Sequence, residues 1–121
     1  MTKRRNTDEL LPLTPAMFEV LIALADGEKH GYAVLKEVAR RTDGRITLSP
    51  GTLYAIVRRF VNEGVIAESD VRPDPALDDE RRRYYRLTDF GRDVARAEAR
   101  RMETALGMAR AKSLIPKARP A

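Results

Sequence analysis

Apolar residues recur along this chain at helical spacing in four segments and in weak alternation in two. The first helix is expected to open at Thr14-Pro15, with Thr14 as cap and Pro15 at the first helical position. Met17, Phe18, Val20, Leu21, Ile22, Leu24 and Ala25 cover most of its circumference, which marks it as the core element, and Asp26-Gly27 ends it. A second helix opens at His30-Gly31-Tyr32. Tyr32, Leu35, Val38 and Ala39 give its apolar stripe, Lys36, Glu37, Arg40 and Arg41 its wet face, and Asp43-Gly44 its stop. After the short extended link Ile46-Thr47-Leu48, Ser49 caps a third helix with Pro50 at its first position, ending at Glu63-Gly64.

Val65 to Val71 then reads as a strand. Pro73-Asp74-Pro75 cannot continue a ladder and marks a loop, and Arg81 to Leu87 returns as a second strand. Tyr85 and Leu87 fall on one face of that strand, Tyr84 and Arg86 on the other. Thr88 caps a last helix, from Asp89 to about Lys112. Phe90, Val94, Ala97, Met102, Ala105, Leu106 and Ala109 form its Ala-rich stripe, flanked by Arg and Glu. Three helices followed by a long hairpin is the winged helix-turn-helix order. The expected fold is mainly α with a small β-hairpin. A loose arm (1–11) precedes a winged head (12–87), a C-terminal helix (88–112) and a frayed tail (113–121). A helix with such a stripe has to lie on something: its own head or a second copy.

The third helix carries the sharpest chemical signal. Leu53, Ile56, Val57, Phe60 and Val61 form its inner face; Gly51, Tyr54, Ala55, Arg58, Arg59 and Asn62 lie opposite. Gly51 and Ala55 permit close approach, and Arg58, Arg59 and Asn62 are donors for phosphates or base edges. A polar, partly basic face on an otherwise buried helix is what a recognition helix needs, so double-stranded DNA is the partner it implies.

Composition narrows the field. With no cysteine, disulfides and thiolate metal sites are excluded, and with the single histidine His30 a zinc site would have to be all carboxylate. No metal, cofactor or catalytic residue is expected: there is no phosphate loop, no nucleophile beside a base and no ligand cluster. The longest apolar run, Val20 to Ala25, is too short for a membrane span, so a cytoplasmic protein is expected. The net charge of +5 is unevenly placed. Residues 10–91 carry 12 basic and 13 acidic side chains; residues 92–121 carry 8 and 3. Any contact with DNA therefore rests on local clusters.

Leu13-Thr14-Pro15, His30-Gly31-Tyr32, Ser49-Pro50-Gly51-Thr52-Leu53-Tyr54, Glu63-Gly64, Asp79-Glu80-Arg81-Arg82-Arg83-Tyr84-Tyr85 and Leu87-Thr88-Asp89-Phe90-Gly91 together resemble a PadR-type transcriptional regulator of the short type. The match covers roughly residues 10–110. Each piece is weak alone, but their order and spacing are specific, because each falls at an element boundary. The resemblance implies a homodimeric, sequence-specific DNA-binding protein, usually a repressor. It implies that the last helix dimerises together with the N-terminal segment, which assigns Phe90, Val94, Ala97, Met102, Ala105, Leu106 and Ala109 to the interface. Some members of the family bind small aromatic effectors near that interface; this chain has no tryptophan to stack on one.

On this reading the recognition helix (49–64) enters the major groove of a near-palindromic operator. Ser49, Gly51, Thr52, Tyr54, Arg58 and Arg59 are its contact candidates, with Arg58 nearest the centre of the exposed face. Arg59 suits the DNA backbone or an acidic partner. Ser49 is equally a plain helix cap, and Tyr54 could simply pack its ring. The second helix crosses the backbone in this motif, so Tyr32 and Lys36 are phosphate candidates, Tyr32 being a core candidate too. The wing (72–83) would lie on the backbone or in the minor groove, reaching DNA through Arg82 with Tyr84, or through Arg81. Alternation lets at most two of Arg81, Arg82 and Arg83 share a face, and Asp78, Asp79 and Glu80 could instead pair with them locally. His30 reads as a structural residue at the start of helix two. The rival reading is a winged-helix protein-interaction module without DNA binding, favoured by the near-neutral charge of 10–91. A MarR-type regulator would need longer helices before and after the head.

Overall fold

The structure is a computed structural model describing residues 6–69 and 83–116. Four α-helices and three short strands follow in the order α1 (Pro15–Leu24), β1 (Lys29–His30), α2 (Gly31–Arg41), α3 (Pro50–Asn62), β2 (Ile66–Glu68), β3 (Tyr84–Leu87) and α4 (Asp89–Ala111). The expected hairpin strands pair antiparallel, Ile66 opposite Leu87 and Glu68 opposite Tyr85. The sheet has a third member that the sequence pattern did not reveal: β1 pairs antiparallel on the far side of β3, with Lys29 opposite Tyr85 and His30 opposite Tyr84. Two residues are too few to show a period, so this strand exists only through its partner.

Every helix starts as its cap residue dictates. The side chains of Thr14, His30, Ser49 and Thr88 each accept the backbone N–H three residues on. Three helices also stop alike. Beyond α2, α3 and α4 the chain passes through a left-handed residue (Asp43, Gly64, Ser113). The N–H after it returns to a carbonyl of the last turn: Gly44 to Ala39, Val65 to Phe60, Leu114 to Ala109.

The core gathers Met17, Val20, Leu21 and Leu24 of α1, Val34 and Val38 of α2, Leu53, Val57 and Phe60 of α3, Val65 and Ile66, Tyr85 and Leu87, and Val94 of α4. Two glycines permit its closest approaches. A Cβ on Gly91 would stand 1.9 Å from the Val65 carbonyl oxygen, so only glycine lets the first turn of α4 sit on that carbonyl. A Cβ on Gly31 would stand 2.8 Å from the Tyr54 hydroxyl, so α2 begins directly beneath that tyrosine.

Four expectations need correction. Tyr32 is not a core residue: α2 buries Gly31, Val34 and Val38, while Tyr32 is 55% exposed. The seat of Gly31 against Tyr54 turns that face inward. The arm is not loose over Thr7–Leu10, which form a 3-10 turn capped by Asn6, with Leu10 and Leu11 packed on the core. Val94 is fully buried in the head and cannot meet a second copy; Phe90 is half-buried against the same core. Glu98, expected on a wet flank, is 0% exposed. It accepts the Leu13 N–H at 2.6 Å and a hydrogen bond from Arg101, fastening the segment before α1 to α4. Burial alone would push the Glu98 carboxyl up. The Arg101 hydrogen bond, the Leu13 N–H and the Arg101 charge outweigh it and hold the group below its ordinary value.

Candidate nucleic-acid interface

Helix α3 presents most of the face expected of it, except that Tyr54 is half-buried and Val61, expected inside, is 41% exposed. Leu53, Val57 and Phe60 are buried; Gly51, Thr52, Ala55, Arg58, Arg59 and Asn62 are exposed. At 100° per residue Gly51, Ala55, Arg58 and Asn62 form one ridge down the exposed side. A Cβ on Gly51 would meet nothing within 4 Å, so the protein itself does not require glycine there. Arg58 has no hydrogen bond or ion pair among the described residues, whereas Arg59 is held by Glu63 at 3.0 Å. At the start of the helix the Ser49 hydroxyl accepts the Thr52 N–H at 3.1 Å and donates to Thr52 Oγ1 at 3.0 Å. That leaves the Thr52 hydroxyl proton outward on an exposed turn.

The flank of α3 continues onto α2. The half-buried Tyr54 ring covers Gly31. Next along the chain, Tyr32 stands out with the Lys36 ammonium 4.6 Å from its ring centroid, a cation–π pair that leaves the charge at the surface. Two other charges of α2, Glu37 and Arg41, are engaged on the side of α1. Arg41 binds Glu19 at 2.8 Å and Glu37, while Lys29 binds Asp26 and the Ala23 carbonyl and lies 3.5 Å from Glu37. Glu19, Asp26 and Glu37 are thus engaged on the α1 side, while Lys36 and Arg58 are exposed without an ion pair among the described residues.

The base of the wing joins this surface at Tyr84, half-buried on β3, whose ring meets His30 edge-on at 5.6 Å. His30 in turn lies parallel to Tyr32 at 6.5 Å. Arg83 stands 3.4 Å from Glu68. Arg81 and Arg82, with the rest of the wing, lie outside the described residues. The structure thus brings Tyr32, Lys36, Ser49, Gly51, Thr52, Tyr54, Arg58 and Tyr84 to connected parts of α2, α3 and β3, with Arg59 at the far end, tied to Glu63. Among the described residues no group of acidic or histidine side chains could hold a metal ion, and no helix is long and apolar enough to cross a membrane.

A family model, the transcriptional regulator PadR-like family, matches residues 20–97. The chain belongs to the PadR-like family. An uncharacterized protein of Lysinibacillus sphaericus, designated X, is 27% identical over 73 residues, covering 60% of this chain; the match spans 64% of that protein's length, less than two thirds of it. Among solved structures, a transcriptional regulator from Clostridium thermocellum superposes with a TM-score of 0.65 at 23% identity, covering 78% of this chain and 88% of that one. Bacillus subtilis PadR in complex with operator DNA superposes with a TM-score of 0.61 at 20% identity, covering 71% of this chain and 47% of that one. These likenesses establish the winged-helix fold, and the family is one of transcriptional regulators.

Two glycines of the motifs quoted above now have a physical reason. Gly31 makes room for Tyr54, and Gly91 for the Val65 carbonyl. Thr88 completes the second contact, since its hydroxyl accepts the Gly91 N–H and donates to the Gly64 carbonyl.

Proposed function

We propose that this chain is a homodimeric, sequence-specific DNA-binding repressor acting in the cytoplasm. The observation that carries the reading is the α3 ridge. Gly51, Ala55, Arg58 and Asn62 are exposed together, and Arg58 has no partner among the described residues to neutralise it. Small residues at the helix start let the backbone approach base edges, and a free guanidinium one turn further can read guanine. Tyr32, Lys36 and Tyr84 lie beside that ridge and would grip phosphates; Arg81 and Arg82 would extend the grip along the wing. The operator complex of the structurally similar Bacillus subtilis PadR supports this partner class.

The second half of α4 supplies the dimer. Met102, Leu106 and Met108 are 38, 46 and 60% exposed, on a helix whose first half is sunk in the head. Ala109 is half-buried and Ala105 exposed on the same stretch, and Ala97, half-buried, precedes it on the first half. Pairing two such helices would place two recognition helices in successive major grooves, about 34 Å apart. A small-molecule effector at this seam would act by favouring one head spacing over another.

A gel-shift titration on the DNA upstream of the coding sequence, against a scrambled duplex at two salt concentrations, tests the reading. A preferential, salt-sensitive shift saturating at two protomers per site is expected. Equal affinity for the scrambled duplex, with no salt dependence, would favour the protein-interaction reading.

A further inference from the structure

The His30 ring lies against two residues assigned to DNA, Tyr32 and Tyr84, and its cap role uses only half of its imidazole. Nδ1 accepts the Ala33 N–H at 3.1 Å. Only an unprotonated nitrogen can do so, hence the neutral ring carries its proton on Nε2. Among the described residues nothing accepts from that Nε2–H. The nearby carboxylates are engaged elsewhere: Glu28 by the Ser69 hydroxyl at 3.0 Å, Glu37 by Arg41 and Lys29. The ring is half-buried, parallel to exposed Tyr32 and edge-on to Tyr84. Its backbone pairs with Tyr84, and the next residue, Gly31, lies under Tyr54 of the recognition helix. The imidazole therefore sits where the α3 flank, the α2 face and the wing base converge.

We infer that His30 is a DNA-binding residue whose Nε2–H donates to a phosphodiester oxygen of the backbone, with the Ala33 N–H holding it in that tautomer. The inference rests on the DNA-binding reading above. It adds a contact of distinct chemistry, because a neutral donor strengthens binding without releasing a counterion. Lys36 and Arg58 release one each on reaching phosphate. A hydrogen bond to an ionised acceptor is among the stronger kinds, so its loss is expected to weaken binding about tenfold.

The test uses the full chain and two probes: a mixed-sequence 30-bp duplex and the duplex most enriched from a random library by the wild-type protein. His30→Asn retains a good cap acceptor and removes the imidazole donor. The variant should keep the wild-type melting temperature and lose about tenfold affinity on both probes, with an unchanged slope of log K against log salt. Lys36→Gln, by contrast, should lower that slope by about one. Unchanged affinity in His30→Asn, or a slope lowered as in Lys36→Gln, would overturn the inference. Should His30→Asn fail to fold, imidazole nitrogen spectra of the wild-type protein decide. The Nε2 resonance should shift when either duplex is added, and an unmoved resonance in the bound state overturns the assignment. A wild-type protein that binds neither probe would instead overturn the DNA-binding reading itself.

Discussion

The two halves of α4 are one continuous helix with one inner face, yet they live in different surroundings. From Asp89 to Arg101 that face is spent inside the head: Gly91 on the Val65 carbonyl, Val94 in the core, Glu98 on the Leu13 amide. From Met102 to Ala111 the same face runs on with Met102, Ala105 and Ala109, flanked by Leu106; none of these is buried, and Met102 and Leu106 stay 38% and 46% exposed. The first half is part of the folded domain; the second is the half assigned above to the proposed dimer. Glu98 marks the boundary, the last residue of α4 to be fully buried. A carboxylate is an unusual residue to bury there, and it is stable because its two hydrogen bonds replace the water it loses. If the comparison is right, substitutions in the first half should cost stability and substitutions in the second should cost assembly.

The largest expected effect is at Gly91. In Gly91→Ala the new methyl would collide with backbone at 1.9 Å, which no side-chain rotation relieves. We expect a loss of about 3 kcal/mol, on the order of 15 °C in melting temperature, read by thermal unfolding.

Next comes Glu98. Glu98→Ala strands the Leu13 N–H in the interior and should cost about 2 kcal/mol in urea titrations; Glu98→Gln, which keeps an acceptor, should cost less. The pH dependence follows from the sign of the shift. The Glu98 carboxyl is held below its ordinary value of 4.5, so the unfolded state binds its proton first as pH falls. Its stabilisation is fully present above that ordinary value and is lost as pH drops through the depressed one. Glu98→Gln should lack this part of the acid loss, which sets in as pH falls below the ordinary value of 4.5.

Met102→Glu combined with Leu106→Glu should leave the unfolding of the head within about 0.5 kcal/mol of wild type, since neither side chain belongs to its core. The pair should nonetheless sediment as a monomer. A double variant that still sediments as a dimer would move the interface off this half of α4. The smallest effect on the fold is expected for Arg58→Ala, which removes no hydrogen bond or ion pair among the described residues. There the cost appears in DNA: about a tenfold weaker specific complex and a relaxed base preference at one position of each half-site, measured by competitive gel shift.

What the sequence showed and what it hid divides along a physical line. Local signals were legible because they act within a few residues. Thr14, Ser49 and Thr88 cap the helices they were expected to cap, and Asp43-Gly44 and Glu63-Gly64 stop two of them. Leu53, Val57 and Phe60 of α3 are buried as expected, but Val61, expected on the inner face, is 41% exposed near the helix end; Tyr85 and Leu87 point inward as alternation required. Contacts made at long range left no local trace. β1 exists only as a partner of β3; Val34 displaced Tyr32 from the core because Gly31 seats α2 against Tyr54. Glu98 reads as a solvated charge until Leu13, 85 residues away, is brought to it. The candidate residues on α2 and α3 could be named from type and position alone. What sequence alone did not show was their assembly around His30, which depends on the strand pairing that joins it to Tyr84.

The central claim is that the α3 ridge reads DNA as one half of a symmetric pair. Its most direct test is selection of bound duplexes from a random library by the wild-type protein and by Arg58→Ala in parallel. The account predicts that wild type enriches a two-fold symmetric site with half-sites one helical turn apart, and that Arg58→Ala loses discrimination at symmetric positions of that site while still binding DNA. A wild-type selection with no enriched sequence, or an Arg58→Ala selection that returns the same site with the same stringency, would contradict it.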